Sequence, residues 1–473
     1  MAWSRAEAAR RAAVGALVGV VLAGYAGTVA CGRADNGDFM KIAMGYAEKP
    51  SGFSSAWPPP SSPEGRRRLF AAWLPKWDAR ADGRLSPGAS KRSSGHLLWF
   101  PGALVARAIG GDTLDLRWVG LPARVAAAAF AVLSVFLLAR AGSLGVLAAA
   151  LFAAVAIDVG YLSFLNTWYE EGPSLPYALA LFAGLLAWAH GRRRLGFVAV
   201  VAAVIALTTA RSVNWAFGIV FVVLAFVWRR RLPAPAITPG VRAMAGALLV
   251  LASVASAVVV ARYPEHPLVN PFNALFYGAL TFVDDPHPHL ARLGFGPEAR
   301  RFVGNPIFVG DAHAFAYAHP ALIDFTSVLA VYAREPAAVG RALWFAIGRL
   351  HDTRLAYLPL HAEHARAGFA ELDVRQRVMM RLHGWPIASA VWLAGLAAAG
   401  AMLARGARDP AWGIVVLALL GCALAGTVTA ILGDGRQEIE KHLWTANLLL
   451  DLAACAVVAG GSARRAPAPA PHA

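Results

Sequence analysis

Long apolar runs separated by short charged punctuation dominate the chain. Crossing about 30 Å of hydrocarbon takes roughly 20 helical residues. Ten windows approach that length: Ala12–Cys31, Trp118–Leu138, Leu144–Leu165, Ser174–His190, Gly196–Ala210, Val213–Trp228, Ala243–Ala261, Trp385–Leu403, Ala411–Leu432 and His442–Gly460. The fifth and sixth are the shortest, and they are joined by Thr208-Thr209-Ala210-Arg211-Ser212-Val213-Asn214-Trp215, which suits a hairpin that stops short of the surface. The pattern predicts an all-α polytopic membrane protein with about ten transmembrane helices. The first window follows Arg5, Arg10 and Arg11 as a signal peptide would, but it lacks a small-x-small cleavage site and reads as a retained anchor.

Two long connections interrupt the windows. The first, 32–117, carries Trp57-Pro58-Pro59-Pro60, Arg66-Arg67-Arg68-Leu69-Phe70, Trp73 and Trp77, a mixture suited to the headgroup region. Within it His96–Ile109 is apolar but too short to span, so an interfacial helix is expected. The second, 262–384, has helical patterns over Pro320–Arg334 and Pro336–Leu350, the latter opening on a proline. The expected organisation is an N-terminal transmembrane module over 1–261, a mostly helical outer loop domain over 262–384, C-terminal helices over 385–463 and a disordered Pro/Ala tail over 464–473.

Charge orients this arrangement. With ten crossings, Arg5/Arg10/Arg11, Arg140, Arg192–Arg194, Arg229–Arg231, Arg405/Arg408 and Arg464–Arg465 all fall on one side, as the positive-inside rule requires. Both termini are then cytoplasmic and both long connections lie outside. Removing the fifth and sixth windows keeps the parity but strands Arg211 inside an apolar stretch, so the pair is retained. Composition agrees: the 473 residues are 58% hydrophobic and 15% charged, with a mean hydropathy of +0.52. The net charge of +16 belongs to these orienting clusters and predicts no nucleic-acid partner. Cys31, Cys422 and Cys455 lie in or beside apolar windows and read as buried thiols.

The outer face gathers the polar residues next to helix ends: Asp35, Asp38, Asn166, Tyr169, Glu170, Glu171, Arg211, Asp284, Asp285, His287, His289, Asp434, Glu438, Lys441 and His442. Carboxylates facing Arg, Lys and His supply what transfer from a phosphorylated lipid needs, a base for an acceptor hydroxyl and cations for a departing phosphate. Helix anchoring and turn formation account for the same residues one by one. Asp285 and His287 have the ligand atoms for a divalent metal such as Mg or Mn, although Asp284-Asp285-Pro286-His287 equally suits a turn. Lys441 stands out because so few of the 44 basic residues are lysines. No GxxxxGK[ST], GxGxxG after a strand, HExxH or GxSxG is present in a suitable context, so ATP-driven transport and hydrolase chemistry of those kinds lack support.

One helix, an acidic outer loop with interfacial helices, a bundle and a large later outer segment resemble the GT-C superfamily of polyprenyl-phosphate-sugar-dependent glycosyltransferases. Asp35-Asn36-Gly37-Asp38-Phe39, Asn270 to Gly278 with Asp285-Pro286 and Leu293-Gly294, and Gly433-Asp434-Gly435 with Lys441-His442 and Asn447 resemble the bacterial glycan-biosynthesis hexose transferases of the WsfD type. The resemblance implies a catalytic Asp in the first outer loop, Asp38 or Asp35, and inverting transfer of a hexose from a polyprenyl-phosphate donor to a glycan or lipid-linked acceptor. It implies a bacterial cytoplasmic membrane, with membrane lipids as surroundings and an extracytoplasmic active site. Arg211, Lys441 and His442 become candidates for the lipid phosphate, and Glu170, Glu171, Asn166 and Asp434 for acceptor or sugar hydroxyls. The first loop departs from the family pattern in its Arg-bearing, Pro-rich insertion and its lack of an Asp-Glu pair. Two alternatives stay open: a transporter or flippase of lipid-linked sugars, which Asp158 deep in the third window favours, and a glycan polymerase or ligase.

Overall fold

The computed structural model describes residues 5–54, 62–68, 73–227, 238–261, 268–355, 357–358, 360–362, 374–406 and 410–463. The Trp57–Pro60 run, Leu69-Phe70, the clusters Arg229–Arg231 and Arg464–Arg465, Arg408 and the tail lie outside the described residues. The longer helices are α1 (Arg5–Gly27), α2 (His96–Gly110), α3 (Leu121–Ala139), α4 (Gly145–Ala156), α5 (Glu171–Ala189), α6 (Arg193–Ala210), α7 (Phe217–Val227), α8 (Pro239–Ala261), α9 (Phe325–Arg334), α10 (Pro336–Gly348), α11 (Pro386–Gly406), α12 (Ala411–Asp434) and α13 (Trp444–Ala463). All ten apolar windows are helical over most of their length. Among the described residues seven helices are long and apolar enough to cross a membrane: α3, α5, α6, α8, α11, α12 and α13. The bent pair at 145–166, taken as one broken span, makes an eighth. The other two windows fall short of that measure. α1 opens on Arg5, Glu7, Arg10 and Arg11, which shortens its apolar part, and α7 has only 11 residues.

The spans alternate in direction, and their contacts define two ends of the bundle. At one end Arg10 bonds the Ala139 carbonyl, Ser462 bonds that of Ala141, and the His190 and Trp412 rings meet edge to face at 5.5 Å. At the other end Arg124, buried at the start of α3, donates to the Tyr25 carbonyl at 2.7 Å, to the Thr28 hydroxyl at 2.9 Å and to Asn166 Oδ1 at 3.1 Å. A guanidinium at the exit of α1 satisfies carbonyls that the helix leaves unpaired.

The third window breaks, which its apolar run does not reveal. α4 stops at Ala156, and Asp158 caps a new short helix by accepting the Gly160 N–H at 2.6 Å, with a bend of 45°. Backbone polar groups freed inside a membrane need partners. Arg33 meets one of them, donating to the Gly160 carbonyl at 3.1 Å, and it also donates to Ser163 Oγ at 2.9 Å and to the Leu358 carbonyl of the second connection at 3.0 Å. Asp158 is thus a capping residue at a helix break.

The first connection contains α2 as expected, with Trp99, Ala103 and Ala106 buried and Leu97, Leu104 and Ile109 exposed. It also contains strands, which the all-helical expectation omits. β2 (Ala47–Pro50), β3 (Lys76–Ala79) and β4 (Thr113–Asp115) form an antiparallel sheet, while β1 (Cys31–Arg33) pairs with β5 (Leu360–Ala362) from the second connection. In that second connection α9 starts later than predicted, because Asp324 caps it by accepting the Ser327 N–H at 2.7 Å. α10 starts at Pro336 as predicted.

Candidate functional site

A cavity of about 470 Å³ lies where the first connection, the ends of α5, α6 and α12, and the second connection meet. Its wall begins at the turn after β1. Asp35 Oδ1 accepts the N–H groups of Gly37 at 2.7 Å and Phe39 at 3.2 Å, and Gly37 adopts φ +100°, which glycine tolerates best. Asp35 is buried in this role and does not line the cavity. The turn instead presents Asp38, whose side chain is 29% exposed and open to a ligand.

Asp38 sits between two ammonium groups. Lys41, one helical turn on, lies 2.6 Å away, and Lys441 pairs with the second carboxylate oxygen. Burial pushes the Asp38 carboxyl up, but the charges and hydrogen bonds of Lys41 and Lys441 outweigh it and hold it well below the usual carboxylate range. Lys441 also pairs with Glu438, which accepts from Asn36 Nδ2 at 2.6 Å. Burial lowers the Lys441 ammonium and its carboxylate partners more than restore it, leaving it charged. Tyr169 packs beneath Lys441, its hydroxyl donating to the Ala34 carbonyl at 2.9 Å.

The opposite wall is organised by Arg211, which interrupts the backbone between α6 and α7. Its Nη2 lies 2.7 Å from Glu171 Oε1, with both side chains almost fully buried, and donates to the Lys441 carbonyl at 2.9 Å. His442 lies 3.3 Å from Arg211 through Nδ1 and 3.0 Å from Asp434 Oδ2 through Nε2. Burial, with the nearby Arg211 and Lys441 charges, lowers the imidazole to about 3, so the ring is neutral at pH 7. Its neighbours then fix the tautomer: Nδ1 accepts from Arg211 and Nε2–H donates to Asp434. Asn273 completes this corner, donating to Asp434 Oδ1 at 3.0 Å and accepting the Ile307 N–H at 3.0 Å. The close approach of Gly435, φ +61°, to Gly278 brings Asn273 there; a Cβ on Gly435 would lie 2.6 Å from the Asn273 carbonyl oxygen.

Of the predicted residues, Asp38, Glu170, Glu171, Arg211, Asp434, Lys441 and His442 share this cavity. Asn166 does not: buried, it donates to the carbonyls of Val29 at 2.8 Å and Cys31 at 2.7 Å and ties α1's exit to the broken third span. Asp285 and His287 also lie away from it. Asp285 Oδ1 accepts the His287 N–H at 3.0 Å, a local turn that opens the helix His287–Leu293. Among the described residues no group of three His, Cys, Asp or Glu side chains is arranged to hold a metal ion, so the Mg or Mn expectation finds no ligand set there. Sequence reasoning passed over Lys41 and Lys91, the latter 2.9 Å from Glu170. A signal existed: the chain has five lysines, and three of them, Lys41, Lys91 and Lys441, line this cavity.

Multiple apolar spans around a polar, ion-paired cavity at one end of the bundle define a polytopic membrane protein. The chain belongs to the YfdI N-terminal transmembrane domain family, which it matches over residues 104–464. No curated protein and no solved structure matches it.

Proposed function

We propose that the protein is a membrane glycosyltransferase that moves a hexose from a polyprenyl-phosphate carrier to a cell-surface glycan, with inversion, at the extracytoplasmic face of a bacterial cytoplasmic membrane. The observation that carries this reading is the convergence on one cavity of an open carboxylate, Asp38, with Lys41, Lys441 and Arg211. The lining holds six carboxylates, Asp38, Glu170, Glu171, Asp324, Asp434 and Glu438, against four cations, Lys41, Lys91, Arg211 and Lys441. A phosphate therefore binds by exchanging with carboxylates. As Lys41 and Lys441 turn to it, Asp38 loses the charges that depress its pKa and becomes a better base. Asp38 then takes the proton of the acceptor hydroxyl as that oxygen bonds to the anomeric carbon. The bond from that carbon to the phosphate oxygen breaks, and the lysines and Arg211 hold the departing phosphate with its electron pair. Asp158, the residue that favours the flippase alternative, is engaged as a cap at a helix break.

The test uses reconstituted protein with radiolabelled polyprenyl-phosphate hexoses. Hexose release by Asp38→Asn is expected to fall at least about 100-fold, the usual scale for a lost general base, in a protein that still folds and melts cooperatively. Equal release in both proteins sinks the assignment of Asp38. Movement of intact lipid-linked sugar between leaflets without release would replace the transferase with a flippase.

A further inference from the structure

A second, smaller cavity of about 210 Å³ shares Lys91, Glu170 and Ser212 with the first. Its other walls include Arg92, the hydroxyls of Ser93, Ser94 and Thr209, each already bonded to a backbone carbonyl, and Ala255, Ser256 and Val259 of α8. Their chemistry is split. α8 presents Leu251, Val254 and Val258 outward, more than 40% exposed each, so this flank of the bundle is apolar. Facing it, the side chains of Arg92 and Ser212 have no hydrogen-bond or ion-pair partner among the described residues. The carboxylate nearest to hand, Glu170, is already taken by Lys91 at 2.9 Å, and that ion pair forms the wall between the two cavities. An apolar flank beside an uncommitted guanidinium and hydroxyl matches an amphiphile with an anionic head.

We propose that the smaller cavity is the port through which a lipid-borne phosphate ester reaches the larger one from the membrane flank. Arg92 and Ser212 take the phosphate first while the lipid chain lies along α8. Lys91 then exchanges Glu170 for the phosphate, which opens the shared wall and passes the head group towards Lys41, Lys441 and Arg211. The exchange is charge-neutral in kind: one ammonium–carboxylate pair is replaced by one ammonium–phosphate pair. The proposal takes only the lipid-borne donor from the transferase reading, and it makes no claim about the chemical step.

The test measures binding alone, using intact protein in nanodiscs and a polyprenyl monophosphate that carries no sugar. Arg92→Gln is expected to bind it about fivefold more weakly at low salt, the scale of one partly exposed charge contact, and Arg92→Lys to recover most of the loss. Ala255→Trp, which fills the port from the lipid side, is expected to weaken binding with an unchanged melting temperature. Inorganic phosphate and phosphatidylglycerol are expected not to compete. Wild-type affinity in both Arg92→Gln and Ala255→Trp would overturn the port. Competition by inorganic phosphate would reassign the site to a soluble anion, and equal competition by phosphatidylglycerol to bulk headgroups; either overturns the proposal. A transferase without turnover that still binds the lipid through Arg92 would leave the port standing.

Discussion

His442 reports the state of the cavity through its protonation. Its folded-state value of about 3 lies below the ordinary 6.5, so between pH 6.5 and 3 the unfolded chain binds a proton that the folded one refuses. The stabilisation is complete above pH 6.5 and is lost as pH falls, by about 1.4 kcal/mol at pH 5.5. Wild-type melting temperature is therefore expected to drop between pH 7.5 and 5.5 by more than that of His442→Gln, measured side by side in detergent. Parallel curves would remove the buried neutral imidazole. Asp38 does not confuse the comparison, because a carboxyl held below its usual range releases its stabilisation only at lower pH. Asp434, which burial raises to about 7, works in the opposite sense by gaining stability as pH falls. It is present in both proteins, so the difference between the two curves, and not the wild-type drop alone, reports the imidazole. The sequence already offered His442, Lys441, Arg211 and Asp38 as charged residues at helix ends. Depth was what it could not offer: Asn166 has the same local context as Glu170, yet one is sealed against the exit of α1 and the other lines the cavity.

At the scale of elements, the turn Asp35–Phe39 separates structure from chemistry within five residues. Asp35→Ala removes the acceptor for two backbone N–H groups and is expected to cost about 1–2 kcal/mol, lowering the melting temperature and, by displacing Asp38, the hexose release. Asp35→Asn keeps an oxygen acceptor there and is expected to retain most of both. A stable but inactive Asp35→Asn, with an active Asp38→Asn, would exchange the two roles. That one of the two aspartates serves the turn was legible in the glycine between them. Less legible were the strands, three or four residues each, whose partners are remote in sequence: Cys31 pairs with Ala362 and Pro50 with Trp77. Periodicity needs more residues than such strands contain. The break after Ala156 was hidden for a different reason, since a run that is apolar throughout reads as continuous whether or not its backbone is.

Across the whole molecule the ionisable groups sort by end. Arg10, Arg140, Arg192 to Arg194 and Arg405 lie at one end of the bundle, with the termini of α1 and α13, and the ion-paired cavity lies at the other. This polarity follows from alternation alone: a chain whose apolar windows all become antiparallel helices must send every second connection to the same side, and the sequence places its arginine runs in those connections. Two windows that fall short of a full span, α1 and α7, still keep the alternation, because each turns the chain back towards the end from which the next helix starts. From the positive-inside rule the arginine end is expected in the cytoplasm and the cavity outside. Cys31, Cys422 and Cys455 are buried, so single added cysteines can report the orientation. In intact spheroplasts a membrane-impermeant maleimide is expected to label Asp311→Cys, exposed in the second connection, at once. Arg192→Cys, in the turn between α5 and α6, is expected to react only after permeabilisation. The reverse pattern would face the cavity to the cytoplasm, where a carrier-linked hexose transferase acting on a cell-surface glycan would have no acceptor.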